Sequence, residues 1–144
     1  MMKIHGEWEI TVIRQILIRS TAGVFNEEGT RAVFQETQQK APISAPWVGL
    51  TNAENWEMSG ASSLQLFPGM REWAFANNCA ALAIVVPSEL KKKIHQHQTG
   101  EFSQDRIAYF SNLTQACEWL CSKGFAIRAD EYPHHEFIRR TKMP

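Results

Sequence analysis

The unbroken apolar run from Ala80 to Val86 constrains the fold more than any other segment of this sequence. It has the length of one strand and places no polar side chain on either face. Such a run is typical of a strand that is covered on both sides, in the middle of a parallel or mixed sheet. Pro87 ends it. This segment therefore predicts a sheet with helices packed against its faces.

The N-terminal part predicts two strands followed by a helix. Trp8 to Ile13 alternates apolar and polar residues, and a second β-rich run begins at Ile16. Arg14-Gln15 between them is compatible with a hairpin or with one long bent strand, and both remain open. Asn26 followed by two glutamates predicts a helix start, because it can cap the helix and acidic residues favour the positive end of its dipole.

A strand-to-helix corner follows in the middle of the chain. Trp47 to Thr51 predicts a short apolar strand, followed by a polar turn that contains Trp56. The next helix is expected to start at Ser59 or Ser62. Pro68 biases Phe67 away from helical angles and removes one backbone hydrogen bond, so we expect a kink or two short helices that meet there.

The C-terminal part predicts a helix over Glu89 to Gln98, a strand over Arg106 to Phe110 and a helix that starts after Asn112. The element order is then β-β-α-β-α-β-α-β-α, an α/β fold with a small mixed sheet of about five strands and flanking helices. We expect one domain over residues 1–127. Residues 128–144 are expected to form a C-terminal tail, docked at most through Tyr132, Phe137 and Ile138.

Composition excludes several classes of protein. Lysine and arginine equal aspartate and glutamate in number, so the formal net charge is zero and general nucleic-acid binding is not expected. No apolar run approaches the roughly 20 residues of a spanning helix. The N-terminus lacks the apolar region of a signal peptide, and three cysteines do not suggest a disulfide framework. We therefore expect a cytoplasmic protein.

A spread of aromatic and turn residues from Lys3 to Phe125 resembles a known family. The features are Gly6-Glu-Trp8, Gly23 to Gly29, Trp47 before Asn52 to Trp56, the strand from Cys79 to Val86, and Tyr109-Phe110 before Ala116 to Leu120. Together they resemble the SpoIIAA-like branch of the STAS superfamily, the sulfate transporter and anti-sigma antagonist domains.

The resemblance implies a regulatory or ligand-binding role without catalysis or cofactor. STAS domains often carry Asp-Ser-Ser-Gly at the start of the second helix, and phosphorylation of that serine switches partner binding. Here Met58 to Ser63 occupies the corresponding place, and the aspartate is absent. The branch is also similar in fold to CRAL-TRIO lipid-transfer domains, which suggests apolar ligands or membrane contact.

Candidate site residues cluster at the strand-to-helix corner. Hydroxyls at a helix start can bind an anion or carry a phosphate, and aromatic side chains can line an apolar groove beside the broken helix. The predicted ligand-binding residues are Asn52, Trp56, Ser59, Ser62, Ser63 and Phe67. The first hypothesis is a module that binds a small apolar or amphipathic ligand, a membrane surface or a protein partner. The alternative is a phospho-regulated interaction switch that uses these serines.

Other constellations give weaker signals. His95 and His97 would point to different sides of a helix, and His134-His135 lacks cysteines at zinc spacing, so no metal site is expected. Lys91 to Lys93 could touch anionic lipid head groups, but it is also typical of a solvated helix face. An enzyme would require Glu57, Ser59 and His97 to meet at hydrogen-bond distances. A homodimer is a further prediction, through an aromatic patch or a free edge strand.

Overall fold

The computed structural model of the chain describes residues 3–57, 60–86, 89, 93 and 106–142. The strands of its sheet are β1 (Glu7–Ile13), β2 (Ile16–Gly23), β3 (Trp47–Trp56), β4 (Cys79–Val85) and β5 (Ile107–Phe110). The helices are α1 (Glu27–Lys40), α2 (Ala61–Leu64), α3 (Phe67–Ala76), α4 (Leu113–Ser122) and α5 (His135–Thr141), with a 3-10 turn at Ala129–Glu131. Of the helix predicted over 89–98, only Glu89 and Lys93 are described, and both are helical.

The sheet is mixed and its strands lie in sequence order, β1-β2-β3-β4-β5. β1 pairs with β2 in antiparallel fashion, and each later pair is parallel. Because β1 and β2 pair in antiparallel fashion through a tight connection, in which Arg14 has a positive φ of 55°, they form a hairpin and not one bent strand. The predicted α/β class and mixed five-strand sheet are confirmed.

Helices cover both faces of the sheet. On the face that we call the α1–α3 face, Leu17, Trp47 and Leu82 of the strands belong to one core cluster with Val33 of α1 and Ala74 of α3. The opposite face, which we call the C-terminal face, forms a second cluster. It contains Ile18, Val48, Leu50, Ala83, Val85, Ala116, Cys117, Leu120 and Tyr132. β4 supplies residues to both clusters, as its unbroken apolar sequence predicts.

The polar turn that was predicted after Thr51 is wrong. β3 continues through Trp56, and its side chains alternate between the two faces of the sheet. Thr51 and Ala53 lie on the α1–α3 face, whereas Asn52 reaches Tyr132 on the C-terminal face. Trp56, which the sequence placed in the turn, is 3% exposed. Thr51 and Asn52 are buried within the strand because each is hydrogen-bonded on a covered face of the sheet, whereas Glu54 is exposed.

The break in the second helical region takes the form of two short helices, one of the two predicted outcomes. α2 ends at Leu64, and α3 begins at Phe67 with Pro68 in its first turn. The expectation that Phe67 would avoid helical angles is wrong, because Phe67 is the first residue of α3. No backbone hydrogen bond of the helix is lost either, because the N–H groups of the first turn have no partner within a helix.

Residues 128–142 lie on the C-terminal face of the sheet. They contain the 3-10 turn and α5, which the sequence did not predict, and α5 packs against β2 and β3. Tyr132 and Phe137 are buried and Ile138 is half-buried. The division between residues 1–127 and 128–144 stays a prediction.

None of the helices within the described residues combines the length and the apolar character needed to cross a bilayer.

Candidate functional site

A cavity of about 50 Å³ lies between the α1–α3 face of the sheet and helices α1 and α3. β2 and β3 form its floor, and α1 and α3 form its walls. Its lining comprises Arg19, Thr21, Phe25, Thr30, Val33, Thr51, Ala53, Trp56, Phe67, Met70 and Arg71. We call it the arginine cavity, because two guanidinium groups lie within an otherwise mainly apolar wall.

Arg19 is a charged side chain in the floor of this cavity and is only 8% exposed. Its Nη1 donates to Thr37 Oγ1 at 3.1 Å, and its Nη2 donates to Thr51 Oγ1 at 3.1 Å. Thr37 Oγ1 in turn donates to the carbonyl oxygen of Val33, so the hydroxyl is oriented to accept from the guanidinium. Within the described residues, Arg19 forms no ion pair. Two hydroxyls therefore hold the guanidinium in place without neutralising its charge.

Arg71 brings a second positive charge to the same cavity from α3. It is 4% exposed and lies 5.8 Å from the ring centroid of Phe67. Burial, together with the nearby Arg71 charge, lowers the pKa of Arg19 to about 9. Burial also lowers the pKa of Arg71. Arg19 still carries its charge near neutral pH, so two like charges share a region with little water.

The Cys79 thiol lies close enough to both arginines to affect their pKa values, but it does not supply an anion. Burial raises the pKa of Cys79 to about 11, although a hydrogen bond to the backbone of Ala81 and the charges of Arg106, Arg71 and Arg19 oppose that shift. The thiol is therefore neutral at pH 7.

The arginine cavity reaches the surface on one side. Thr21 and Phe67 are its half-buried lining residues, and the others are buried. A smaller cavity of about 20 Å³ lies deeper, towards Trp47 and Leu82, and shares Arg19, Met70 and Arg71 with the first. The guanidinium groups thus lie between two spaces, and Thr21 and Phe67 border the outer one.

The structure brings some of the predicted site residues together and separates others. Trp56 and Phe67 both line the arginine cavity. Asn52 lies on the C-terminal face, where its Nδ2 donates to Tyr132 Oη at 3.2 Å. The ligand-binding roles of these residues stay predictions.

The three serines have different environments. Ser63 is fully buried, and its hydroxyl is hydrogen-bonded to that of Thr30, which connects α2 to α1. Ser62 is exposed beside a shallow depression that it lines with His5, Glu27 and Gly60. Ser59 lies outside the described residues. α2 has four residues, too few for a helix macrodipole of the kind that binds anions.

The C-terminal face carries a buried polar network that the sequence did not reveal. Ser20 Oγ is hydrogen-bonded to Tyr132 Oη and lies 2.8 Å from His134 Nδ1. His134 Nε2 lies 2.8 Å from Thr11 Oγ1 and 3.8 Å from a Glu9 carboxylate oxygen. The arrangement has the residue types of a nucleophile and a base, but Ser20 has no exposed surface. A buried hydroxyl cannot meet a substrate, so the network fixes the C-terminal segment to β1 and β2.

The remaining predicted constellations can be placed in part. Within residues 3–57, 60–86, 89, 93 and 106–142, no group of histidine, cysteine, aspartate and glutamate side chains could hold a metal ion. The residues that lie outside these ranges are Ser59, Lys91, Lys92, His95 and His97. Ser59 and His97 are two of the three members of the predicted enzyme site. Cys117 is buried in the core and Cys121 is exposed.

The sequence and the fold can be compared with those of known proteins. No protein-family model matches this sequence, and no curated protein is significantly similar to it. The fold is similar to the crystal structure of an uncharacterized protein of the DUF3478 family with a SpoIIAA-like fold, from Shewanella loihica PV-4. The similarity covers 84% of this chain and 99% of that one, with a TM-score of 0.54 and 16% sequence identity.

The chain therefore has a SpoIIAA-like fold. The resemblance inferred from the aromatic and turn residues is confirmed at the level of the fold.

Proposed function

We propose that this protein is a non-enzymatic binding module that takes a small amphipathic ligand in the arginine cavity. The observation that supports the proposal most is the composition of the cavity wall. Phe25, Trp56 and Phe67 give it apolar surface, while Arg19 and Arg71 give it buried polar groups. Binding sites for small molecules combine a largely apolar lining with a few fixed polar groups in this way.

The size of the cavity restricts the ligand to a short one. A cavity of about 50 Å³ holds only a few heavy atoms, since a single water needs roughly 10–15 Å³ by the same kind of measure. A long acyl chain of the kind suggested by the CRAL-TRIO similarity would need α1 or α3, which form the walls of the cavity, to move away from the sheet. A short ligand needs no such movement and can extend between Thr21 and Phe67.

Binding can be followed through Trp56, because it lines the cavity and its indole fluorescence depends on local polarity. We expect short amphipathic molecules to change the fluorescence saturably and to raise the melting temperature. The Trp56→Phe variant should lose most of the fluorescence change. Trp119→Phe is the matched control, because Trp119 packs with the core of the C-terminal face, and it should behave like the native protein.

Native mass spectrometry of the protein purified from its host tests the same proposal without a chosen probe. A co-purifying small molecule that is displaced in a cavity-filling Ala53→Leu variant would support it. Protein that carries nothing, together with no response to any short acid, amide or alcohol, would refute it.

The phospho-switch alternative concerns the surface serine of α2. Ser63 would have to leave the core to meet a kinase, whereas Ser62 is accessible where it stands. Phosphoproteomics of the host, combined with partner capture by a Ser62→Asp variant, tests this alternative. Binding to a membrane surface, to a protein partner or to a second copy stays a prediction.

A further inference from the structure

The charge of Arg19 is not balanced by the residues that position its guanidinium. Its two hydrogen-bond acceptors, Thr37 and Thr51, are neutral hydroxyls. Arg71 adds charge of the same sign. A buried charge is costly unless it is paired and hydrogen-bonded, and its cost rises when a like charge is near. A ligand that carries a negative charge would relieve this cost, and a neutral ligand would not.

The geometry of Arg19 leaves donors for such a ligand. A guanidinium has five N–H groups, and the hydrogen bonds of Arg19 to described residues use two of them. The planar fork of a guanidinium matches the two oxygens of a carboxylate. Because Arg19 lies in the floor of the cavity, the charged end of a ligand would lie at the floor and the rest would extend along the apolar wall.

We propose that the arginine cavity binds a small monocarboxylic acid with a short apolar tail, and that Arg19 is the residue that binds its carboxylate. This inference rests on the proposed function and specifies its ligand class. The carboxylate takes the unused N–H groups of Arg19, close to Arg71. The tail contacts Phe25 and Trp56 and leaves between Thr21 and Phe67. A bare inorganic anion fits less well, because it would leave this apolar wall without a partner.

The experiment compares each acid with its own amide, which has nearly the same shape and no charge. Calorimetric titrations in a buffer without chloride, phosphate or sulfate use acetate, butyrate and hexanoate against acetamide, butyramide and hexanamide. We expect butyrate to bind the native protein about tenfold more tightly than butyramide, or better, since charge-assisted hydrogen bonds are the stronger ones. Arg19→Met should abolish this preference. Arg31→Gln, an exposed arginine of α1 that is paired with Glu27, is the matched control and should retain it.

The outcomes separate this inference from the proposed function. If amides bind as tightly as acids, the cavity binds ligands but the carboxylate site is refuted. If neither class binds, both proposals fail. Tighter binding of inorganic phosphate than of any acid in the series would also overturn the inference. Circular dichroism shows whether the Arg19→Met variant is folded, and the acid-to-amide ratio of the native protein decides the matter if it is not.

Discussion

The two faces of the sheet handle buried polar groups in opposite ways. On the C-terminal face, hydrogen bonds link Ser20, Asn52, Tyr132 and His134 into one network, and Ser20 has no exposed surface. On the α1–α3 face, Arg19 is anchored by two hydroxyls, retains a full charge and borders two cavities. Each polar side chain of the network on the C-terminal face has a hydrogen-bond partner in the chain. Arg19, in contrast, has N–H groups that the described residues do not use and a charge that they do not pair.

This difference distinguishes polar groups that stabilise the fold from the polar groups that we propose bind a ligand. A network in which each member finds a partner holds the fold together and specifies one packing. A buried charge without a counter-charge costs stability, so it is more readily explained by a ligand than by the fold. The comparison predicts that substitutions on the C-terminal face will destabilise the protein, and that removal of the Arg19 charge will not.

The largest effect should come from Phe137, the buried aromatic residue of α5, which is 2% exposed. Phe137→Ala should lower the free energy of unfolding by about 3–5 kcal/mol, the usual cost of truncating a buried aromatic side chain. Urea denaturation measures it. The control is Val24→Ala at a side chain that is 56% exposed, with a change within about 0.5 kcal/mol. A loss below 1 kcal/mol for Phe137→Ala would mean that α5 contributes little to the folded state.

A smaller loss is expected for Tyr132→Phe. The substitution removes the hydroxyl that contacts Ser20 and Asn52 and leaves both as buried polar groups with one partner fewer. The free energy of unfolding should fall by about 1–3 kcal/mol, the cost of leaving buried polar groups unsatisfied. The measurement is again urea denaturation. Stability equal to that of the native protein would show that the network does not hold the C-terminal segment.

The pH dependence of stability should report His134. Burial lowers the pKa of its imidazole, Glu9 opposes the shift and Lys40 adds to it. Below the unfolded-state pKa of about 6.5, the unfolded chain therefore binds more protons than the folded one, and stability falls as the pH drops. One proton limits the slope to about 1.4 kcal/mol per pH unit. Urea denaturation between pH 7.5 and 5.5 measures it. His134→Gln should remove this slope, and an unchanged slope would assign the effect to other groups.

The smallest effect, and the contrasting one, is expected on the α1–α3 face. In the ligand-free protein, Arg19→Met removes a buried charge beside Arg71 and leaves an unbranched, shorter apolar side chain in its place. The free energy of unfolding should stay the same or rise by about 1 kcal/mol, as when buried charges are replaced by apolar residues. Thermal and urea denaturation measure it. A loss of about 3 kcal/mol or more would place Arg19 among the structural residues, like Tyr132 on the other face.

Local sequence patterns predicted the elements whose formation depends on residues that are close together in the sequence. The run from Ala80 to Val86 predicted a central strand because both of its faces are apolar. Asn26 predicted the start of α1, and its Oδ1 accepts from the backbone N–H of Gly29 at 2.8 Å. The second part of β3 was missed because its polar residues satisfy partners that are distant in sequence. Asn52 contacts Tyr132, and Asn55 contacts the carbonyl oxygen of Ile138.

The candidate site was predicted only through its aromatic residues. Trp56 and Phe67 were proposed from the corner after Trp47, and both line the cavity. Arg19 was missed because a lone arginine within a β-rich run is more typical of the solvated side of a strand. Its burial follows from α1 and α3 packing over β2, which depends on the tertiary arrangement and not on local periodicity.

Side-chain NMR can show whether Arg19 binds a carboxylate in the arginine cavity. The Nε–Hε resonance of Arg19, assigned by its loss in Arg19→Met, is followed while butyrate is added. We expect a saturable shift of this resonance together with the Trp56 indole signal, no shift at Arg140 on the surface, and no response of Arg19 to butyramide. A shift of the Trp56 signal that leaves Arg19 unmoved, or the same response to butyramide as to butyrate, would contradict it.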